Sequence, residues 1–277
     1  MPKKYLIIAS KKDKAGINIT TQLSQFKKPQ IGFEIDKPIE PFFDLYLVEE
    51  DIILDANYDQ EKINKYDFII FASQHKSEKK EKTLSIHAPG NPKEAHFGGQ
   101  TNKLCPTSAL FQKHTFEILH KKAKEHDLKN YKVTLECTHH GPLINRPCIF
   151  IEIGSTETEW NDRRAAFVVA TTINETIESF TPNKYREIAV GIGGPHYCPN
   201  FNKLQLESNV AISHILPQYT IPLTEEIIKE AIEKTEEEID FVILDWKGIK
   251  DAEERKNIIK ILEKNYIPYK KISSIKR

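Results

Sequence analysis

The chain has 277 residues, with 40 basic and 40 acidic side chains and a formal net charge of zero. That balance excludes a protein that holds nucleic acid mainly through a global positive field, while leaving room for local basic patches. The 39% apolar and 29% charged shares fit a soluble globular chain, and no apolar run approaches the roughly 18 residues of a membrane span.

The short apolar run at residues 5–9, behind Lys3 and Lys4, reads as a first strand rather than a signal peptide. Residues 17–26 have helical periodicity, residues 44–48 alternate like a strand, and residues 68–72 form an apolar run of buried-strand type. A polar stretch at 73–103, rich in Lys, His, Gly and Pro, follows as a long loop, of a length that is usually functional or disordered. A helix is expected over 106–127, strands over 131–136 and 148–153, and one long helix over 156–180 capped by Ser155 or Thr156. A strand at 187–192 runs into a Gly-Pro-His loop; helix 224–238, strand 241–244 and helix 251–265 complete the chain. This alternation predicts a single α/β layered domain with helices on both faces of a sheet. Cys105, Cys137, Cys148 and Cys198 are far apart without a Cys-x-x-Cys pair, which predicts free thiols in a reducing, cytoplasmic setting.

Histidines and glycines gather just after strands: His75 after 68–72, His139 and His140 after 131–136, and Gly193, Gly194 and His196 after 187–192. In open α/β sheets ligands bind beyond the strands' C-terminal ends, so three strands are expected to deliver titratable loops to one rim. Adjacent side chains on an extended backbone point to opposite sides, so only one of His139 and His140 faces a pocket unless the Gly141-Pro142 turn twists the second round. Glu136 is placed to orient one of them, the bland alternative being turn histidines bonded to backbone. The run Lys76-Ser-Glu-Lys-Lys-Glu-Lys-Thr83 reads as solvated, with contact to a polyanion as the functional alternative. His87 sits in a glycine-shaped loop from which a ligand can come; His96 is a weaker candidate, and His214 a further one. His114, His120 and His126 lie on a helix and read as surface. Glu152 interrupts an apolar strand, which means a wet strand end or a buried, paired carboxylate. Trp160 reads as core and Asp245 as another strand-terminal acid. Gly191-Ile-Gly-Gly-Pro-His196 is not a dinucleotide fingerprint, and no helix is expected to open there; its amides suit an oxyanion or phosphate, or simply a tight turn. With no nucleophile elbow, P-loop, His-Glu-x-x-His or zinc Cys pair in the chain, histidine and carboxylate chemistry is the remaining engine, with or without zinc.

Ser73-Gln-His75 with Ser85-Ile-His87-Ala-Pro-Gly-Asn91 resembles the archaeal and plant D-aminoacyl-tRNA deacylases. So do Thr138-His-His-Gly-Pro142, Glu152-Ile-Gly-Ser-Thr156 with Glu159-Trp160, Gly191-Ile-Gly-Gly-Pro-His-Tyr197 and Asp245-Trp-Lys-Gly248, in the same order over nearly the whole chain. One departure is Ala211-Ile-Ser-His214, where Gly is expected before the histidine. The resemblance implies hydrolysis of the ester joining a D-amino acid to tRNA, bound zinc (up to two ions), and a three-layer α/β/α fold with a mixed sheet of the phosphorylase/hydrolase type.

On that footing zinc is expected among His87, His139, His140, His196 and His214, with His139 and His140 in the catalytic centre and Glu136 or Glu152 as orienter or proton shuttle. Gly193 and Gly194 would steady the oxyanion, and Lys76 and His75 would contact substrate. The expected partner is D-aminoacyl-tRNA, with no membrane or DNA partner and a monomeric chain. The alternatives are a metal-independent esterase similar to peptidyl-tRNA hydrolase, a non-catalytic tRNA-binding module, and a phosphate-dependent nucleoside phosphorylase on the same type of fold.

Overall fold

Alternating strand and helix signals resolve, in a computed structural model, into two sheets with helices packed against them; residues 3–26, 43–55, 58–182 and 187–276 are described. The first part of the chain forms β1 (Tyr5–Ser10), α1 (Lys14–Leu23), β2 (Phe43–Val48), α2 (Gln60–Ile63), β3 (Phe68–Lys76) and β4 (Thr83–His87). Next come β5 (Gly90–Asn91), β6 (Lys103–Leu104), α3 (Ala109–Glu125), β7 (Lys132–Leu135), β8 (Cys148–Ser155), α4 (Glu157–Trp160) and α5 (Arg163–Ser179). The remainder is β9 (Glu187–Ile192), α6 (Pro199–Glu207), β10 (Val210–Leu216), α7 (Glu225–Glu233), β11 (Phe241–Leu244), α8 (Ala252–Lys264) and β12 (Tyr269–Lys271).

The six-stranded sheet has the order β2-β1-β3-β8-β4-β7 and is mixed, because β4 runs antiparallel to β8 while the other pairs are parallel. A four-stranded parallel sheet, β10-β9-β11-β12, lies beside it. Helices cover the layers: Ile19, Phe116 and Ile173 of α1, α3 and α5 share a core with Ile70, Ile149 and Ile86, and the same core continues to Ile212 and Ile243 of the second sheet. The second sheet's other face packs Val190 and Val242 on Ile228 and Ile258 of α7 and α8. The expected three-layer α/β/α arrangement with a mixed sheet is therefore present. Among the described residues no helix is long and apolar enough to cross a membrane.

Four local expectations are corrected. The polar stretch at 73–103 is not one loop: β3 continues to Lys76, and Thr83–His87 inserts as a wholly buried strand between β8 and β7. The helix expected over 156–180 breaks at Asn161, because Asp162 restarts it by accepting from the amides of Arg164 and Ala165. A helix does open after the Gly-Pro-His loop, at Pro199, behind Cys198 with its left-handed φ of 46°. His114 is buried against Ser179 Oγ (3.0 Å), and His120 and His126 are half-buried, so none of the three is a free surface group.

Strand register explains the position of the polar cluster. Residues two apart on a strand share a face, and Ile69, Phe71, Ser73 and His75 of β3 pair with Cys148, Phe150, Glu152 and Gly154 of β8. Thr83, Ser85 and His87 of β4 then pair with Gly154, Glu152 and Phe150. One face of the sheet thus changes along its length. Ile69, Phe71, Cys148 and Phe150 belong to an apolar cluster with Leu6 and Ile8, and beyond them the same face carries Ser73, Glu152, Ser85 and His75.

Candidate active site

β4 and β7 run against β3 and β8, so the loops after 68–72 and 131–136 do not leave from one sheet edge. The residues meet instead over the polar half of the sheet face, which corrects the single-rim expectation. Glu136 follows β7 and donates its amide to Ile86 O (2.9 Å), extending the ladder so that its side chain falls on the face of His87. The chain after it is tied to the second sheet, with Cys137 N donating to His196 O (2.9 Å) and Thr138 N to Ile215 O (2.9 Å). That pairing brings His196, from the far sheet, over the near one.

The turn does twist the second histidine round. His140 adopts a φ of 43°, and both imidazoles meet His87, with ring centroids 4.1 Å away for His139 and 4.8 Å for His140. His87 is fully buried and stacked on Phe150 at 5.1 Å and 9°. Each ring is fixed by a backbone carbonyl at Nδ1: Ala88 O for His87 (3.2 Å), Cys137 O for His139 (2.8 Å) and Gly141 O for His140 (2.7 Å). A carbonyl only accepts, so each Nδ1 carries the hydrogen and each Nε2 keeps its lone pair. Burial, then the neighbouring imidazoles, hold His139 well below its ordinary pKa; burial and His87 bring His140 to about 4. Both are therefore neutral at pH 7.

Two buried carboxylates lie beside the imidazoles. Glu152 accepts from Ser73 Oγ (2.6 Å), with His75 Nδ1 at 3.5 Å and His87 Nε2 at 3.8 Å. Glu136 has His196 Nε2 at 3.0 Å, His75 Nδ1 at 3.2 Å and His139 Nε2 at 3.5 Å, yet neither of its oxygens has a well-formed hydrogen bond. Burial pushes both carboxyls up, but His75 chiefly outweighs it at Glu152, and His196 with His75 at Glu136, so both stay below the ordinary carboxylate range. At His196 burial works downward and is overcome by Cys137 and Glu136, which raise the imidazole to about 10. His75 Nε2 meets Tyr197 OH (2.8 Å), and its ring lies over Gly154, where a Cβ would come within 2.7 Å of Cδ2.

A cleft of about 900 Å³ opens onto Glu152, His75, His139, His140 and His196, and Lys76 stands at its exposed lip. Trp160, read from sequence as core, lines it and donates Nε1–H to His75 O (3.0 Å). Asp13, which no motif singles out, caps α1 through Gly16 N (2.7 Å), fixes Gln74 N (2.8 Å) and lines the same cleft. Applying the strand-end argument to β1 would have found it. Tyr219, on a single turn after β10, reaches Cys137 Sγ (2.8 Å) and carries no sequence signal at all.

Other candidates are placed elsewhere. His214 is buried on β10 with Nδ1 against Thr138 Oγ1 (3.1 Å), and among the described residues it joins none of the groups able to hold a metal. Gly193 spends its amide on Leu216 O (2.8 Å), and Gly194 packs against Asp245 and Gly248, so this loop braces the second sheet and Gly193 offers no free amide to an oxyanion. Asp245 accepts there from Asn200 Nδ2 (2.9 Å) and Gly248 N (3.2 Å). His96 is 70% exposed beside Glu94. All four cysteines are buried and unpaired with one another.

The sequence profile of the D-aminoacyl-tRNA deacylase family matches residues 62–270. A protein of that name from Thermococcus onnurineus is 35% identical over 261 residues, covering 88% of this chain and 92% of the relative. Another from Methanocaldococcus jannaschii is 31% identical over 277 residues, covering 97% of this chain and 100% of its own. Among solved structures, a conserved protein of unknown function superimposes with a TM-score of 0.85 at 30% identity, over 99% of this chain and 96% of that one. Ordered motifs, sheet topology and relatives of matching length agree: the chain belongs to the D-aminoacyl-tRNA deacylase family of hydrolases.

Proposed function

We propose that this chain hydrolyses the ester of D-aminoacyl-tRNA to free D-amino acid and tRNA, using zinc held by His87, His139 and His140. The substrate follows from the family, and the metal from the way these rings are held. The ligand atoms of the three lie within 4.8 Å of one another. With every Nδ1 tied to a carbonyl, three Nε2 lone pairs remain, and that of His87 is buried without any hydrogen-bond partner. A buried, unpartnered imidazole nitrogen is costly unless something occupies it, and rings held through Nδ1 are the usual arrangement behind zinc-binding histidines. When bound, zinc would act as a Lewis acid and bring the pKa of water towards about 7.

The chain's own groups then move the protons. Glu136 accepts the proton of the attacking water on a carboxylate oxygen, since neither oxygen is committed to a well-formed hydrogen bond. His196, half-buried beside Glu136, carries a proton on Nε2 and delivers it to the ribose oxygen as the acyl C–O bond breaks. Glu152, held by Ser73, orients His75. A second ion at His75, Glu136 and His196 would occupy the proton acceptor, so the reading here is one ion in the three-histidine group.

The test is deacylation of D-tyrosyl-tRNA beside L-tyrosyl-tRNA, followed as loss of labelled amino acid. The D-ester should be cleared at least about a hundredfold faster than the L-ester. Equal rates, or neither ester falling faster than in buffer, would overturn the assignment.

A further inference from the structure

The large cleft has a neighbour. A second cavity of about 430 Å³ adjoins it, and the two share His139, His140 and Phe97 as common lining. Their chemistry differs. The large cleft is lined by the carboxylates Asp13, Asp51, Glu78, Glu152 and Glu157, the last paired with Lys14, against Lys76 and Lys80. The smaller one lies between two aromatic side chains, Phe97 and Tyr219, that are 67% and 54% exposed, with Lys93 at its edge and Glu94 already facing His96 at 3.3 Å.

Large apolar groups left in solvent are informative when they border a pocket, and these two are held firmly. Phe97 O accepts from Gly141 N (2.8 Å), directly after His140. Gly98 O accepts from Asn91 Nδ2 (2.9 Å) and Gly99 N donates to Asp55 Oδ1 (3.2 Å), so both residues after Phe97 are pinned. Tyr219 is fixed by its hydroxyl on Cys137 Sγ (2.8 Å). The Tyr219 ring and the backbone that carries Phe97 do not have to be ordered when a ligand arrives, which removes part of the cost of binding.

We infer that the smaller cavity receives the terminal adenine base of the tRNA 3′ end against Phe97 and Tyr219, and that the large acidic cleft receives the aminoacyl group. The inference rests on the proposed ester hydrolysis, because that reaction puts the ester at His139 and His140, where the two cavities meet. From that point the substrate extends in two chemically opposite directions. One end carries an ammonium group, which suits carboxylates. The other carries a flat base and a phosphate, which suit aromatic faces and a lysine. The large cleft also holds Trp160 and two lysines, but its carboxylates outnumber the lysines, whereas the one carboxylate of the smaller cavity, Glu94, already faces His96.

The test compares deacylated tRNA ending in CCA with the same tRNA lacking its terminal adenosine, by direct binding and as inhibitors of D-tyrosyl-tRNA cleavage. Removing the adenosine should weaken binding about tenfold in the natural protein. In Phe97→Ala the two tRNAs should bind alike, KM should rise by a similar factor with kcat little changed, and Phe97→Trp should restore the difference. Phe97 is largely exposed, so unchanged thermal unfolding is expected and separates this from loss of fold. An equal adenosine effect in natural protein and Phe97→Ala, or none in the natural protein, would overturn the inference. Tyr219 borders the smaller cavity and not the large cleft, so Tyr219→Ala should also lose the adenosine difference; if it instead alters the preference among D-amino acids, the aminoacyl side chain occupies this cavity and the assignment is reversed. Direct binding does not depend on cleavage, so a chain that discriminates the adenosine but cleaves no D-ester would defeat the hydrolysis reading alone.

Discussion

His139→Ala is expected to lower turnover of D-tyrosyl-tRNA by about a thousandfold or more, with bound zinc falling well below one ion per chain. The ring is one of three imidazoles whose Nδ1 is spent on a carbonyl, so on the proposed reading its loss would remove a ligand and not a structural hydrogen bond between elements. Metal activation is worth several kcal/mol of transition-state stabilisation, which is about a thousandfold in rate. His139 is 24% exposed, on a loop at the cleft, so the backbone should survive. Circular dichroism of the zinc-free variant should match that of zinc-free natural protein. Near-natural turnover would remove His139 from the centre; retained zinc with lost turnover would make it a proton carrier instead of a ligand.

Glu136→Gln should cut kcat by about a hundred- to ten-thousandfold, the range of a positioned general base, while zinc content stays near that of the natural protein. The amide keeps the shape but cannot take a proton. It also leaves His75 and His196 without the carboxylate now 3.2 and 3.0 Å away. Stability gives a second readout with a definite sign. Because His196 and His75 outweigh burial and hold Glu136 below the ordinary carboxylate range, its charge contributes stability that is present above that range. That contribution is lost as pH falls through the lowered folded value. Glu136→Gln removes it, so the variant's melting temperature should change less with acidification than the natural protein's. An identical acid-side slope and an unchanged kcat would contradict both roles.

The sequence was most legible where period and chemistry pointed the same way. β9 and β11 occupy the residues expected of them, since each is an apolar run between polar boundaries. β4 was hidden by its composition: Thr83, Ser85 and His87 read as polar loop, yet the face they occupy is buried because the site itself covers it. The same alternation recurs as Ser73 and His75 on β3, and as Thr134 and Glu136 at β7, all buried. Polar residues two apart inside three separate apolar frames were therefore the signal of a polar sheet face, and no single motif displays it. The histidine set was largely in view: His75, His87, His139, His140 and His196 come together, while His214 does not. Its exclusion depends on Thr138 turning towards it across the two sheets, a tertiary contact without local trace. Likewise the glycines of the Gly-Pro-His loop answer to Asp245 and Gly248, some fifty residues on, and not to the ligand their spacing suggested.

The central claim joins one substrate to one metal, and a single assay with removal and return of zinc addresses both. Purified protein is treated with a chelator and exchanged into metal-free buffer. D-tyrosyl-tRNA cleavage is then measured before and after adding stoichiometric zinc. The account predicts that cleavage stops on chelation and recovers with about one zinc per chain. D-selective cleavage that survives chelation would contradict the metal part and leave the Glu136–His75–His196 carboxylate–imidazole group as the engine.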